Sequence, residues 1–254
     1  MNKADFSRSG ILFVLSAPSG GGKTTLTAEL RKTPDFVYAV SCTTRAPRPG
    51  EIDGEHYHFH SEDDFRQHIE AGDFLEYAEV HGRFYGTLKA PIVESLRKGL
   101  DVLIDVDVAG AASIRSCPDP EIRDALADIF LMPPGLEEIE RRLRRRGTES
   151  EEQLALRLRN AASEMAQWPS YRYTLISGTV EEDVALFRSF MQAERHLSRR
   201  LRPQPTESHR TVGVPPAPGN PSGQDAHGPS AAPEVSQRTV GVPPAPSPNC
   251  GDAA

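Results

Sequence analysis

Residues 11–30 read ILFVLSAPSGGGKTTLTAEL, and this stretch decides the fold class. Ile11, Leu12, Phe13, Val14 and Leu15 form a continuous apolar run, as expected of a strand covered on both faces. Ala17-Pro18-Ser19-Gly20-Gly21-Gly22-Lys23-Thr24 follows. It is one residue short of G-x-x-x-x-G-K-[ST], with Ala17 where the first glycine is expected. A helix start comes next, with Leu26 and Leu30 at i, i+4 on one face. These residue types suit a polyphosphate. Main-chain N–H groups wrap a phosphate chain only where side chains leave the approach open, as Gly20, Gly21 and Gly22 do. The helix N-terminus adds unpaired N–H groups and the positive end of its dipole. Lys23 then reaches the β- and γ-phosphates, and the Thr24 hydroxyl is placed to ligate Mg2+. A flexible glycine turn beside a surface lysine is the bland alternative. The order strand, loop, Lys-Thr, helix argues against it.

The chain has 254 residues, and a single α/β domain of about 200 would be ordinary. Of its 22 prolines, 12 lie after Leu201, so the proline excess belongs to a tail. A net charge of −7 argues against a nucleic-acid or membrane-surface protein. Cys42, Cys117 and Cys250 are too few and too widely spaced for a disulfide framework or a zinc site, and fit a reducing cytosol. The N-terminus has no apolar run long enough for a signal peptide or a membrane span. The expectation is a cytoplasmic protein.

Residues 1–10 are polar and read as frayed. Phe36–Val40, Tyr57–Phe59, Phe74–Val80, Asp101–Asp107, Asp128–Met132 and Tyr173–Ile176 read as strands. Helices are expected over 62–71, behind a Ser61/Asp64 cap, and over 91–98, 135–146, 151–168 and 180–200. Strands alternating with helices indicate a parallel, doubly wound sheet. Residues 41–88 are dense in aromatics and carboxylates and read as an inserted subdomain. From Arg202 the chain has almost no large apolar residues, and a disordered tail over 202–254 is expected. It repeats Arg-Thr-Val-Gly-Val-Pro-Pro-Ala-Pro at 210–218 and 238–246. A pair of polyproline-type docking motifs is the sharper reading of that repeat.

Four further groups carry chemistry. Ser41-x-x-Thr44-Arg45-x-x-Arg48, with Tyr57, offers two guanidinium forks and a hydroxyl to a doubly charged monoester phosphate; the alternative is a solvated basic loop. A carboxylate at Glu76 could accept from two adjacent ring N–H donors, a pair that guanine offers and adenine lacks, although a lone strand glutamate is more often solvent-facing. Asp105 and Asp107 end a buried strand next to the loop, where acids hold Mg2+ or orient an arginine; a structural ion pair is the alternative. Arg141–Arg146, with Arg157 and Arg159 beyond, suits a mobile lid hinged at Gly147 that closes over the transferring phosphate. A charged helix face is the plain reading of several of these arginines, and RNA binding is disfavoured by the acidic total.

The motifs SAPSGGGKTT, SCTTRAPRPGEIDGEHYHF, FLEYAEVHGRFYGT, VLIDVDVAGA and RRLRRRGTESEEQLALRLRNAASEM, taken together, resemble those of the guanylate kinases over roughly residues 11–197. The resemblance implies a P-loop kinase fold of class α/β: a parallel five-stranded sheet flanked by helices, with an inserted GMP-binding subdomain (41–88) and a helical lid (141–168). The core would be 11–40, 89–140 and 169–197. It implies the reaction ATP + GMP ⇌ ADP + GDP with Mg2+. By motif, residues 17–24 hold ATP. Ser41, Glu76, Thr87 and Asp107 read the guanine, and Arg45, Arg48, Tyr57 and Tyr85 hold the GMP phosphate. Lys23, Arg142, Arg146 and Arg157 are the catalytic cations, and Thr24 and Asp105 face the metal. The expected partners are ATP and GMP, with a homo-oligomer left open and neither nucleic acid nor membrane involved. One departure stands out: Ser177-Gly178-Thr179 follows the last strand, where the family often has Asn with an acidic neighbour near the adenine. Rival readings are a related kinase of a sugar phosphate, against which Ser41 and Glu76 argue, and a non-catalytic scaffold module, against which Lys23 and Thr24 argue.

Overall fold

The computed structural model of the chain describes residues 6–80, 82–146 and 150–203; of Arg146 only the main chain is described. Strands in chain order are β1 (Phe6–Arg8), β2 (Leu12–Ser16), β3 (Val37–Tyr38), β4 (Cys42–Thr43), β5 (His58–Phe59), β6 (Phe74–Val80), β7 (Arg83–Leu88), β8 (Val102–Val106), β9 (Leu126–Met132), β10 (Tyr173–Ile176) and β11 (Leu201–Pro203). Helices are α1 (Lys23–Leu30), α2 (Glu62–Ala71), α3 (Lys89–Arg97), α4 (Val108–Arg115), α5 (Pro120–Ala125), α6 (Leu136–Arg146), α7 (Glu151–Met165) and α8 (Val180–Arg195).

The main sheet has the order β10-β9-β2-β8-β3, and every pairing in it is parallel. The apolar run at 11–15 therefore becomes the central strand β2, with every residue buried. Helices cover both faces. Leu12, Val14, Ile104 and Phe130 pack with α3, α4 and α5 residues such as Ile92, Ile114 and Ile122. Phe13, Leu15, Leu103 and Ile129 pack with Leu26 and Leu30 of α1 and Phe187 and Met191 of α8. The two cores on either side of one sheet are what a strand apolar at every position requires.

Residues between 42 and 88 form a second sheet, β5-β4-β7-β6. Helix α2 is capped as expected, Ser61 accepting from the Asp64 amide, and it inserts Phe65 between Phe74 and Phe84. A third cluster joins α6 to α7 through Ile139, Leu143, Leu154 and Ala161.

Three sequence expectations need correction. The N-terminus is not frayed throughout, because Phe6–Arg8 pairs antiparallel with Leu201–Pro203. Arg202 and Pro203 therefore belong to the folded part; the rest of the tail expected over 202–254 lies outside the described residues, as do both repeats. The last helix stops at Arg195 and not at residue 200. The missing signal was long-range charge. Buried Asp101 takes an ion pair from Arg8, the Ile11 amide at 3.1 Å and Arg195 Nε at 2.7 Å. Buried Glu194 accepts from Arg200 Nη2 at 2.7 Å and Tyr173 OH at 2.8 Å. These bonds hold the segments around Arg8 and Arg200, at the two ends of the described residues, on the fold. Helices α4 and α5, between β8 and β9, were not anticipated either.

Candidate active site

The glycine loop spans the gap between β2 and α1. Gly22 has φ 100° and caps α1, and a Cβ there would stand 3.0 Å from Arg142 Nη1. At Gly21 a Cβ would lie 2.8 Å from the Pro18 carbonyl oxygen. Both positions therefore exclude a side chain, one by conformation and one by crowding. Ala17 is different: its methyl packs in the core with Leu26 and Leu30, so alanine is accommodated where the motif has glycine.

Strand register places the acids. Leu15 pairs with Asp105, which sets Asp105 at the carboxyl end of β8 beside the loop. Lys23 Nζ lies 3.7 Å from Asp105 Oδ2. The other oxygen, Oδ1, accepts from the Tyr38 hydroxyl, and burial together with that neighbouring carboxylate raises the Tyr38 pKa. Thr24, next to Lys23 in the first turn of α1, is exposed. Among the described residues no cluster of three or more His, Cys, Asp or Glu could hold a metal ion.

Helices α6 and α7 reach the loop from above. Arg142 donates to Glu138 at 2.6 Å and to the Gly20 carbonyl at 3.5 Å. Glu164 of α7 accepts from the Ser19 amide at 2.9 Å. Adjacent loop residues are thus held by one side chain from each helix. Arg157, Ala161 and Glu164 follow i, i+4, i+7 spacing, so Arg157 is on the loop-facing side of α7. The Arg146 side chain and the hinge residue Gly147 lie outside the described residues.

The second sheet presents a different chemistry. Glu76 on β6 accepts from the Thr87 hydroxyl on β7 at 2.8 Å, and Thr87 is 3.2 Å from Ser41 Oγ. The other Glu76 oxygen points at the start of α4, 3.3 Å from where a Cβ on Gly110 would be. Asp107 caps that helix, accepting from the Gly110 amide at 2.7 Å. Burial raises the Glu76 pKa, the Thr87 hydrogen bond opposes it and the Asp107 charge adds to it. Sequence reasoning brought Ser41, Glu76, Thr87 and Asp107 together, and so does the structure.

Arg45 is held on two sides. Glu51 accepts from its Nη1 at 2.9 Å and Nη2 at 2.8 Å, and its guanidinium lies 5.5 Å from the Tyr57 ring centroid. Tyr57 and Tyr85 meet edge to face at 6.0 Å. Arg48 is exposed, and its amide donates to Glu51 at 2.7 Å. The paired guanidinium and the amide bond hold the Glu51 pKa down at about 2.

Sequence reasoning missed Glu51, Tyr38, Glu164 and Asp183. Gly50, at φ 87°, turns the chain so that Glu51 returns to Arg45, and Pro49-Gly50 is the sequence signal for that turn. The other three act across long sequence separations or from a helix face and leave no local signature. A cavity of about 310 Å³ opens beside the loop, between Arg141, Arg142 and Arg145 on one wall and Ser177, Gly178 and Val180 on the other.

A family model described as guanylate kinase matches residues 9–194. The chain is 46% identical over 195 residues to a guanylate kinase of Sphingopyxis alaskensis, covering 76% of this chain and 87% of that protein. It is 42% identical over 190 residues to a guanylate kinase of Paramagnetospirillum magneticum, covering 74% and 87%. Its fold is similar to the crystal structure of guanylate kinase from Anaplasma phagocytophilum, with a TM-score of 0.61, 31% identity, and coverage of 77% of this chain and 92% of that one.

Proposed function

The chain belongs to the guanylate kinase family and transfers the γ-phosphoryl group of ATP to GMP, and from that premise we propose how its residues divide the work. Residues 17–24 bind the ATP polyphosphate through main-chain amides, with Lys23 on the β- and γ-phosphates. Ser41, Thr87 and Glu76 read the guanine: the hydroxyl relay aims the Glu76 carboxylate so that it accepts from the N1 and N2 hydrogens. Asp107 contributes from the α4 cap. Arg45, Arg48, Tyr57 and Tyr85 hold the GMP phosphate, with Glu51 keeping Arg45 extended across the Tyr57 ring. The domain division follows: core 11–40, 89–140 and 169–197, acceptor subdomain 41–88, lid 141–168.

Donor and acceptor phosphates repel, and little covalent chemistry is needed. Transfer is then in-line positioning plus neutralisation of the moving group by Lys23, Arg142, Arg146 and Arg157. Closure of α6 and α7 excludes water, which would otherwise take the phosphoryl group. Mg2+ fits the site: the Thr24 hydroxyl and Asp105 are hard oxygen donors beside the loop, as Mg2+ requires. Bound there, it would supply positive charge against the phosphates.

The observation that supports this most is the pairing of a lysine-ended glycine loop with a buried carboxylate held by hydroxyls on the facing sheet. A place in cytoplasmic purine nucleotide metabolism, supplying GDP and recycling GMP, fits the activity; among the described residues no helix is long and apolar enough to cross a membrane. The test is a coupled assay of ADP formation with Mg2+, ATP and a panel of GMP, AMP, UMP and sugar phosphates. Turnover of GMP far above the others is expected. No GDP from GMP would refute the assignment.

A further inference from the structure

We propose that the donor pocket beside the loop grips the polyphosphate and the flat faces of a base but does not read the base's hydrogen-bonding edge, so that triphosphates other than ATP serve as phosphoryl donors. The inference rests on the reading of residues 17–24 as the donor phosphate site and deepens it.

The turn at 177–179, which gives the pocket Ser177 and Gly178, has spent its amides within the protein. The Ser177 amide donates to the Met132 carbonyl at 2.8 Å, the Gly178 amide to Asp183 Oδ1 at 2.8 Å and the Thr179 amide to Glu182 Oε2 at 2.9 Å. The Ser177 hydroxyl is turned inward as well, donating to Asp183 Oδ2 at 2.8 Å. Both oxygens of buried Asp183 are therefore engaged by the turn itself. On the opposite wall the Glu138 carboxylate is taken by Arg141 and Arg142. The side chains of this turn bring no amide to the pocket, and the short Ser177 hydroxyl is already in use.

Discrimination by a factor of about 10⁴–10⁵ needs buried polar groups that the wrong base would leave unpaired. Gly178 is exposed, and the Thr179 carbonyl already accepts from the Asp183 amide at 2.9 Å, so neither leaves a buried polar group that the wrong base would strand. Arg141 and Arg145, one helical turn apart on the arginine wall, offer guanidinium planes. Stacking on such planes accepts any base, since every base has a π face. Hypoxanthine reverses adenine's donor and acceptor at N1 and C6, and cytosine changes ring size, so ITP and CTP probe edge and area separately. With either donor the β–γ P–O bond breaks and a P–O bond to GMP forms, giving GDP and IDP or CDP.

The experiment measures kcat/KM for ATP, ITP and CTP, with GMP and Mg2+ saturating and GDP as the product read. Values for ITP and CTP within about a hundredfold of ATP are expected. A larger preference for ATP would overturn the inference. Ser177→Ala should leave the ATP:ITP ratio within about fivefold of the parent, because the hydroxyl faces Asp183 and not the base; a larger change would overturn it too. If ATP itself gave no GDP, the phosphotransfer assignment would fall with the inference. If only ITP and CTP failed, base tolerance alone would be wrong.

Discussion

Glu76→Gln separates recognition from stability more cleanly than any other single change. The glutamine keeps an oxygen that can accept from Thr87 Oγ1, now at 2.8 Å from Glu76 Oε1. It replaces the other acceptor, which faces the start of α4, with an N–H2 donor. Guanine presents two adjacent donors, so one charge-assisted bond is lost and a donor meets a donor. A hydrogen bond to a charged group contributes about 1.5–3 kcal/mol. A loss of roughly 3 kcal/mol corresponds to a fall of about 150-fold in kcat/KM for GMP. Stability should move the other way. Burial raises the folded-state pKa of Glu76 above the ordinary carboxylate value. For such a group the fold binds its proton more tightly than the unfolded chain does, and stability declines as pH rises through the interval between the two pKa values. At neutral pH the buried charge is therefore a cost that glutamine removes, and Tm of the variant should equal or exceed that of the parent. The same shift makes KM for GMP in the parent rise on acidification earlier than an exposed carboxylate would cause. The assay is a GMP titration in the coupled system between pH 5 and 8, beside a thermal melt. A variant within threefold of the parent in kcat/KM for GMP would refute the role given to Glu76. A lowered Tm together with unchanged KM would make Glu76 structural instead.

Lys23→Ala should retain its fold and lose phosphoryl transfer by roughly 10²–10³ in kcat, measured as GDP formation at saturating ATP; near-parental turnover would remove Lys23 from the transfer step. Arg45→Ala should raise KM for GMP by roughly 10- to 150-fold, the equivalent of one charge-assisted contact, with kcat less affected; unchanged GMP affinity by calorimetry would contradict its phosphate role. Truncation after Pro203 should preserve activity and Tm, whereas truncation after Arg200 removes the three register pairs between β1 and β11. That second cut should lower Tm by roughly 2–8 °C, as a loss of about 1–2 kcal/mol implies for a domain of this size; equal melts would show that the terminal ladder contributes nothing.

The sequence alone determined the features written in short-range pattern. A short apolar run closed by a glycine loop reads as a strand buried on both faces, and its alternation with helices along the chain indicates a covered parallel sheet before any contact is known. The glycine run and the Lys-Thr pair fixed the loop chemistry, because conformation and crowding at Gly21 and Gly22 are local demands. Ser41, Glu76, Thr87 and Asp107 were legible as a group through the resemblance of their motifs, and their chemistry agreed with it. Tertiary structure decided which charges meet. Asp101 pairs with Arg8, 93 residues before it, and with Arg195, 94 residues after it, and these ion pairs, not any propensity of residues 6–8, hold the β1 segment at the sheet. The loop amide at Ser19 finds Glu164 at 2.9 Å across 145 residues, and Asp183 consumes the turn at 177–178. A charged side chain carries no periodic signal of its partner, since Coulomb attraction depends on distance in space and not on spacing along the chain. Hydrophobic pattern is read from neighbours in sequence, whereas ion pairing has to await the folded chain.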